Sequence, residues 1–359
     1  MEKKTLYLPH ELIILILLKL PVNSLMRFKL VCKLWFSLIS DSQFASSYFE
    51  HAGHANSHSR KIAWMERSCN IKSIDFEGSI DNVSPNINFT IAPFLWLEIK
   101  GSCRGLIYVH TRRTIYIWNP TTGFHVEIPI SPFESNNISS TSDNLYGFGY
   151  DRSRDDYLVV ACCYDPDLYN ISSRLQFFSF RDHKWKEVEG PHCSFRIESE
   201  NAGSLCNGAI HWTAYRDYDE LKVIVAFDLM ERKMLEIPFS DECELGLISD
   251  VWVFGEFLSV WTKNNDTFEI FVMKEYKVHS SWIKTLCFPI INEDLRWFKP
   301  VCHTKSGDII GTAYRKIVKL NVEGHVLEIT SNGDSLDGLQ AVVYTESLLS
   351  LPGSDIQQV

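Results

Sequence analysis

Apolar residues recur along this chain with two different periods, and the change falls near residue 50. Before it, Leu12, Ile13, Ile16, Leu17 and Leu20 follow one another at spacings of three and four, the signature of a helix face. Ile14, Leu15 and Leu18 lie around the other side, so the predicted helix is apolar all round. Pro21 stops it, and Asn23 or Ser24 is placed to cap a short second helix. The stretch LVCKLWFSLI (30–39) predicts a third, with Val31, Trp35, Leu38 and Ile39 at helical spacing. Fifty residues bury little surface, so a head this apolar needs cover from outside itself. Residues 51–60, HAGHANSHSR, carry no apolar period and read as a linker.

Beyond the linker the period shortens to two. The stretch IYIWNPTTGFHVEIP (115–129) alternates Ile115, Ile117, Val126 and Ile128 about an Asn-Pro-Thr-Thr-Gly turn, and predicts two paired strands. The same plan returns at residues 175, 223, 268 and 316, at intervals of 60, 48, 45 and 48 residues, often ending in proline. One further strand precedes each unit: GLIYV at 105, DYLVVACCY at 156, GAIHW at 208, GEFLSVW at 255 and GDIIGTAY at 307. A period near fifty with about four strands per unit indicates an all-β propeller of kelch-like length. Five units are visible, and residues 61–100 leave material for another, which favours six blades over seven. The strand-like segment LQAVVYTESLLSL (339–351) has no partner after it. It is expected to pair with strands from 61–100, closing the ring without involving the helical head.

Composition and charge remove several function classes. At 45% hydrophobic and 22% charged, the 359-residue chain is globular. No apolar stretch approaches the 18 or more residues of a membrane span, and the greasy run at the front lacks the cleavage site of a secretory signal. The ten cysteines are scattered, with no C-x-x-C pair, which fits a reducing cytoplasmic or nuclear compartment. The first fifty residues hold six Lys or Arg against four acids, whereas the whole chain carries −10. An acidic body of this kind disfavours nucleic acid as a partner.

Candidate chemistry is sparse. His51, His54 and His58 have metal-like spacing, but no Cys or carboxylate cluster joins them, and no metal site or cofactor is expected. GFGYDR (147–152) lacks the rest of a nucleotide loop, and its glycines are expected in tight turns. Asp155 and Asp156 are read as a solvated turn rather than a catalytic pair. Trp118, Trp185, Trp212, Trp261 and Trp282 recur in phase with the strands, as blade-packing residues should. No catalytic residues are assigned.

Two resemblances complete the reading. LPHELIILILLKLPVNSLMRFKLVCKLWFSLISDSQF resembles the F-box motif from end to end, through Leu8-Pro9, Leu20-Pro21, Leu25, Arg27-Phe28, Val31-Cys32-Lys33 and Trp35. The body is similar to the F-box-associated domain of plant F-box proteins, on GSCRGLIYV, IWNPTT, YGFGYDRSRDDYLVV, GAIHW, AFDLMERKMLEIP and VYTESLLSL. Its likeness is to F-box/kelch-repeat and S-locus F-box-like members, although the Gly-Gly pair of kelch blades is missing. The resemblance implies docking on a Skp-family adaptor, and through it on a cullin-based ubiquitin ligase. Leu8, Pro9, Leu12, Ile16, Leu20, Pro21, Leu25, Val31, Cys32 and Trp35 would form or support the adaptor surface. The expected domains are an F-box over 1–50, the linker 51–60, the propeller over 61–351 and a tail over 352–359. The expected function is a non-catalytic substrate receptor that binds a target protein through the propeller. The alternatives are an F-box scaffold without a role in degradation and a propeller enzyme with an accessory helical head.

Overall fold

The computed structural model describes residues 9–55, 60–65, 71–78, 80, 83–87, 97–111, 113–133, 144–163, 174–188, 195–196, 202–216, 222–239, 248–263, 267–290, 293–314, 316–331 and 339–351. Among them the chain forms four N-terminal helices and then six β-sheets arranged as blades. The helices are α1 (His10–Leu17), α2 (Val22–Phe28), α3 (Lys33–Ile39) and α4 (Ser42–Ala55). Pro21 itself caps α2, so Asn23 and Ser24 lie inside its first turn instead of capping it. The fourth helix exceeds the three expected and carries the chain through residues 51–55, the first half of the expected linker. Its signals are ordinary ones: the Asp41 carboxylate accepts from the Gln43 and Phe44 amides at 3.0 and 2.9 Å, and Phe44, Ala45 and Tyr48 form its buried face.

The first blade holds β1 (Arg60–Met65), β2 (Ile71–Ile74) and β3 (Val83–Ile87). The second is β4 (Leu97–Cys103), β5 (Leu106–Thr111), β6 (Thr114–Trp118) and β7 (His125–Pro129). The third is β8 (Asn144–Asp151), β9 (Asp156–Cys163), β10 (Arg174–Ser179) and β11 (Lys184–Val188). The fourth comprises β12 (Phe195–Arg196), β13 (Ser204–Cys206), β14 (Ala209–Arg216), β15 (Lys222–Asp228) and β16 (Lys233–Ile237). The fifth is β17 (Ile248–Phe254), β18 (Phe257–Lys263), β19 (Thr267–Met273) and β20 (Trp282–Pro289). The sixth is β21 (Phe298–His303), β22 (Ile309–Ala313), β23 (Lys316–Leu320) and β24 (Val326–Ser331). The last strand, β25 (Gln340–Thr345), returns to the first blade and pairs antiparallel with β1, Arg60 opposite Thr345 and Met65 opposite Gln340. It occupies the end of that sheet where β4 or β8 sits in the next blades, so the ring is closed by joining the two ends of the array.

The core lies between blades rather than within one. Tyr108 and Ile117 of the second blade pack with Tyr146, Phe148 and Val159 of the third. Leu158 and Phe177 of the third pack with Trp212 and Phe227 of the fourth, and equivalent clusters run on around the ring. The phased tryptophans belong here. Trp118, Trp212, Trp261 and Trp282 are buried and Trp185 half-buried. Trp185 donates its indole N–H to the Pro129 carbonyl at 3.1 Å, and Trp282 donates to the Pro238 carbonyl at 2.9 Å. In both cases the indole reaches the carbonyl of the proline that ends the preceding blade. Gly147 and Gly149 are within β8, not in turns as expected. A Cβ at Gly147 would lie 2.6 Å from Ile210, and one at Gly149 2.6 Å from Leu229, so both glycines permit close approach of the fourth blade.

The turn at 152–155 is exposed, Asp155 included, but Asp151 and Asp156 at its two ends are buried in a clasp rather than solvated. Asp151 and Asp156 are fully buried, and Arg232 of the next blade reaches both, at 3.4 and 3.3 Å. Arg154 adds a 2.9 Å contact to Asp151, Ser179 donates to Asp156 at 2.6 Å, and the Arg181 amide donates to Asp156 at 2.9 Å. Burial opposes the Asp151 charge, but donors from Ser153, Arg154 and Arg232 outweigh it and hold the carboxyl below its ordinary range. Replacing Arg232 with Ala leaves buried Asp156 without its cation and Asp151 with Arg154 alone. Chemical denaturation of Arg232→Ala is expected to show a loss of about 3–5 kcal/mol, whereas Arg152→Ala, on the exposed turn, should stay within about 0.5 kcal/mol of the parent.

A second buried polar pair joins the fourth and fifth blades. The Tyr276 hydroxyl lies 2.9 Å from His211 Nε2, and His211 Nδ1 lies 3.1 Å from the Ser204 carbonyl. The carbonyl can only accept, so Nδ1 carries a proton, and in the neutral ring Nε2 accepts from the Tyr276 hydroxyl. Burial depresses the ring to about 4 from its usual 6.5. The unfolded chain therefore binds more protons between those values, and the ring's contribution is complete above pH 6.5 and lost as pH falls towards 4. That contribution is on the order of 3 kcal/mol. Half-buried His303 is lowered in the same direction, again by burial first. Thermal melts between pH 7 and 5 should show falling stability, and His211→Gln should flatten the slope whatever its effect at pH 7.

Candidate functional site

The head divides its apolar residues between two faces. Leu17 of α1 is buried with Val22, Leu25, Ile39, Phe44, Ala45 and Tyr48, and Ile13, Ile14, Leu18, Leu20, Met26, Phe28 and Trp35 pack around them. The Phe28 and Trp35 ring centroids lie 4.9 Å apart, and the Tyr48 hydroxyl donates to the Leu20 carbonyl at 3.1 Å. On the other side Leu30 is 87% exposed, and Leu12, Leu15, Ile16, Val31, Leu34 and Phe36 range from 46% to 63%. A concentration of exposed aliphatic and aromatic side chains on so small a domain marks an interaction surface. Lys29, half-buried beside it, has its amine lowered by desolvation.

The residues implied by the F-box resemblance fall into groups. Pro9 and Pro21 are exposed at the starts of α1 and α2, and Leu12, Ile16, Val31 and Cys32 are exposed as well. Leu20 and Trp35 are half-buried. Leu25 is completely buried, so of the two roles, forming the surface or supporting it, only support is left to it. Leu8 lies outside the described residues. Leu15, Leu30, Leu34 and Phe36 are exposed too without having been singled out, Leu34 and Phe36 on opposite flanks of α3. Helical spacing had placed Leu12 and Ile16 with Leu17 on one stripe. The buried stripe instead runs through Ile13, Ile14, Leu17 and Leu18, a rotation that an all-apolar helix cannot disclose from its own pattern.

The inner side of the head is fixed to the propeller by the C-terminal strap. After β25, Glu346 pairs with Lys61 at 2.6 Å. Leu348 and Leu349 then enter the head's core, while Leu351 enters the cluster between the second and third blades. Buried Asn119, from the Asn-Pro-Thr-Thr-Gly turn, donates through Nδ2 to the carbonyls of Ser347 and Leu349 at 3.1 and 2.8 Å. Its Oδ1 accepts from the Thr121 amide at 2.8 Å, so one side chain shapes its turn and holds the strap. Gly105, at φ +83°, lies beneath: a Cβ there would be 2.3 Å from the Ser347 hydroxyl. Arg104 lies 5.1 Å from the Phe49 ring of α4 and 4.1 Å from the Tyr150 ring of the third blade.

These contacts set the polarity of the molecule. In an antiparallel blade, first-to-second and third-to-fourth turns share one end, and second-to-third turns share the other with the blade-to-blade connections. The chain enters at Arg60, opposite Thr345, so head and strap occupy the first of these ends. The opposite end is where the strands flanking 131–145, 164–173, 191–201 and 214–220 stop. Those segments are the loop candidates for target binding, and most of their residues lie outside the described ones.

Among the described residues no group of three or more His, Cys, Asp or Glu side chains could hold a metal ion. The side chains of His54 and His58 lie outside the described ones. Burial pushes the thiols of Cys103 and Cys162 up to about 12 and that of Cys206 to about 11, which leaves them protonated and unreactive. No described helix is long and apolar enough to cross a membrane.

A helical head with an apolar outer surface, clamped to one end of a six-bladed propeller, defines the class: an F-box protein with a propeller body. A family model described as the F-box associated beta propeller domain matches residues 61–320, and an F-box-like model matches residues 5–50. The chain belongs to the F-box-associated β-propeller family. It is 28% identical over 307 residues to an F-box/kelch-repeat protein of Arabidopsis thaliana, covering 80% of this chain and 81% of the relative. It is 24% identical over 323 residues to the F-box protein CPR1 of Arabidopsis thaliana, covering 83% and 77%. Among solved structures, the β-propeller domain of the Trilobed protease from Pyrococcus furiosus aligns with a TM-score of 0.42 at 10% identity, covering 78% of this chain and 79% of that one.

Proposed function

We propose that the chain is the substrate-recognition subunit of a Skp–cullin–F-box ubiquitin ligase, working in the cytoplasm, the nucleus or both. The head docks on a Skp-family adaptor through Pro9, Leu12, Ile16, Val31 and Cys32, extended by Leu15, Leu30, Leu34 and Phe36. The propeller holds a target protein at the end away from the head. The observation that carries this reading is the apolar surface left open on a head whose other side is already occupied by the strap. Ubiquitin transfer is the work of other subunits, and this chain is not itself an enzyme. Neither a membrane nor a nucleic acid is its partner, which agrees with the net charge of −10.

The test is capture of bound proteins from cells expressing the tagged chain, with and without a neddylation inhibitor. A target should accumulate on the chain under inhibition, and Leu12→Asp/Ile16→Asp should lose the adaptor, keep the target and lengthen the target's half-life. A captured protein whose half-life is the same with that variant as with the parent would contradict the degradation role and leave a scaffold.

A further inference from the structure

The end of the propeller away from the head carries an aromatic pair with no packing role. A short turn before β21 buries Leu295 and Phe298 and turns Arg296 and Trp297 outward. Trp297 is 59% exposed. Its ring stands edge-on to that of Tyr314, itself 56% exposed, with centroids 5.5 Å apart. Tyr314 follows β22 at φ +57°, a left-handed conformation that a bulky residue adopts only at a cost. Neither ring is needed to close the sixth blade. Lys263, at the end of β18, places its amine 5.7 Å from the Trp297 ring. Its amine is lowered, first by desolvation and then by repulsion from Arg296. Among the described residues neither Lys263 nor Arg296 has a carboxylate within ion-pair distance.

Elsewhere cations of this acidic chain are neutralised, as Arg232 is by two carboxylates and Lys61 by Glu346. Lys263 over the Trp297 ring, exposed Arg296 and two exposed rings form a different arrangement, one that suits an incoming anion. Two cations do not make the extended basic track that a polyphosphate backbone requires. A carboxylate next to an apolar or aromatic side chain matches it: the carboxylate bridges Lys263 and Arg296, and the apolar group lies on Trp297 and Tyr314.

We infer that Lys263, Arg296, Trp297 and Tyr314 form a docking site for an acidic linear segment of the target protein, an inference that rests on the target-receptor reading above. The probe is a random 12-residue peptide library displayed on phage and selected on the full chain bound to its adaptor. Selected peptides should be enriched in Asp or Glu beside Phe, Tyr, Trp, Leu or Pro, and their affinity should fall with added salt. Trp297→Ala and Lys263→Glu/Arg296→Glu should each weaken the selected peptides at least tenfold while melting like the parent, and the double variant should select basic peptides instead. A selection without acidic bias, or unchanged affinity in both variants, would overturn the inference. So would displacement of the peptides by single-stranded oligonucleotide at lower concentration than by an acidic competitor peptide. The target-receptor reading is tested separately. If proteins captured from cells still bind the Trp297→Ala chain and turn over through the adaptor, that reading stands and this site falls.

Discussion

A chain cut after Gly338 is expected to be found mostly in the insoluble fraction, with no cooperative melt in what stays soluble. The cut removes β25, whose residues face two ways: Ala341 and Val343 pack with the cluster shared with the sixth blade, and Val342 and Tyr344 with the one shared with the second. Both interfaces open, and β1 is left with an unpaired edge from Arg60 to Met65. Several large apolar side chains then meet water at once, each at a cost of about 1.5–3 kcal/mol, which exceeds the margin of most domains. The cut also removes Leu348 and Leu349, so the head should lose its protection from hydrogen exchange along with the propeller. A truncated chain that melts like the full-length one would show that the ring is not held by its last strand.

The second large effect separates the strap from the ring. Leu348→Ala/Leu349→Ala leaves β25 in place and empties two positions in the head's core. Each buried leucine truncated to alanine costs about 2–5 kcal/mol. A head of this size has little stability beyond that, and α1 to α4 should exchange their amides freely while the propeller melts near its parent temperature. Adaptor binding should be lost with the head. An unchanged exchange pattern in α1 and α4 would mean that the two leucines only cover the head. A control at exposed Leu327 should be silent.

This dependence of the head on the chain's far end was the part of the fold least visible in the sequence. The helix period, the strand period and the spacing near fifty residues announced both domains, and LQAVVYTESLLSL was recognisable as the strand that closes the ring. Only its first half does so. The last six residues of that stretch show no period of their own, and their partners, Asn119, Gly105 and α4, are more than two hundred residues away in the chain. Such pairings leave no local trace. The burial of Asp151 and Asp156 escaped for a related reason, because a run of charges reads as solvated until the Arg232 of another blade is placed over its ends. On the candidate docking surface the residue types were legible, and the rotation of α1 was not. A stretch apolar on every side does not reveal which side faces out, and Leu25, which aligned with the motif, is buried.

Titration of the purified chain with a Skp-family adaptor in a calorimeter tests the outer surface of the head most directly. A one-to-one complex is expected for the parent. Ile16→Asp/Val31→Asp changes two residues that are 51% and 63% exposed, so the chain should melt as before. Its affinity should drop at least about 100-fold, equivalent to two buried anchors lost at roughly 1.4 kcal/mol each. A variant that melts normally and binds the adaptor as tightly as the parent, or a parent that does not bind at all, would contradict the account.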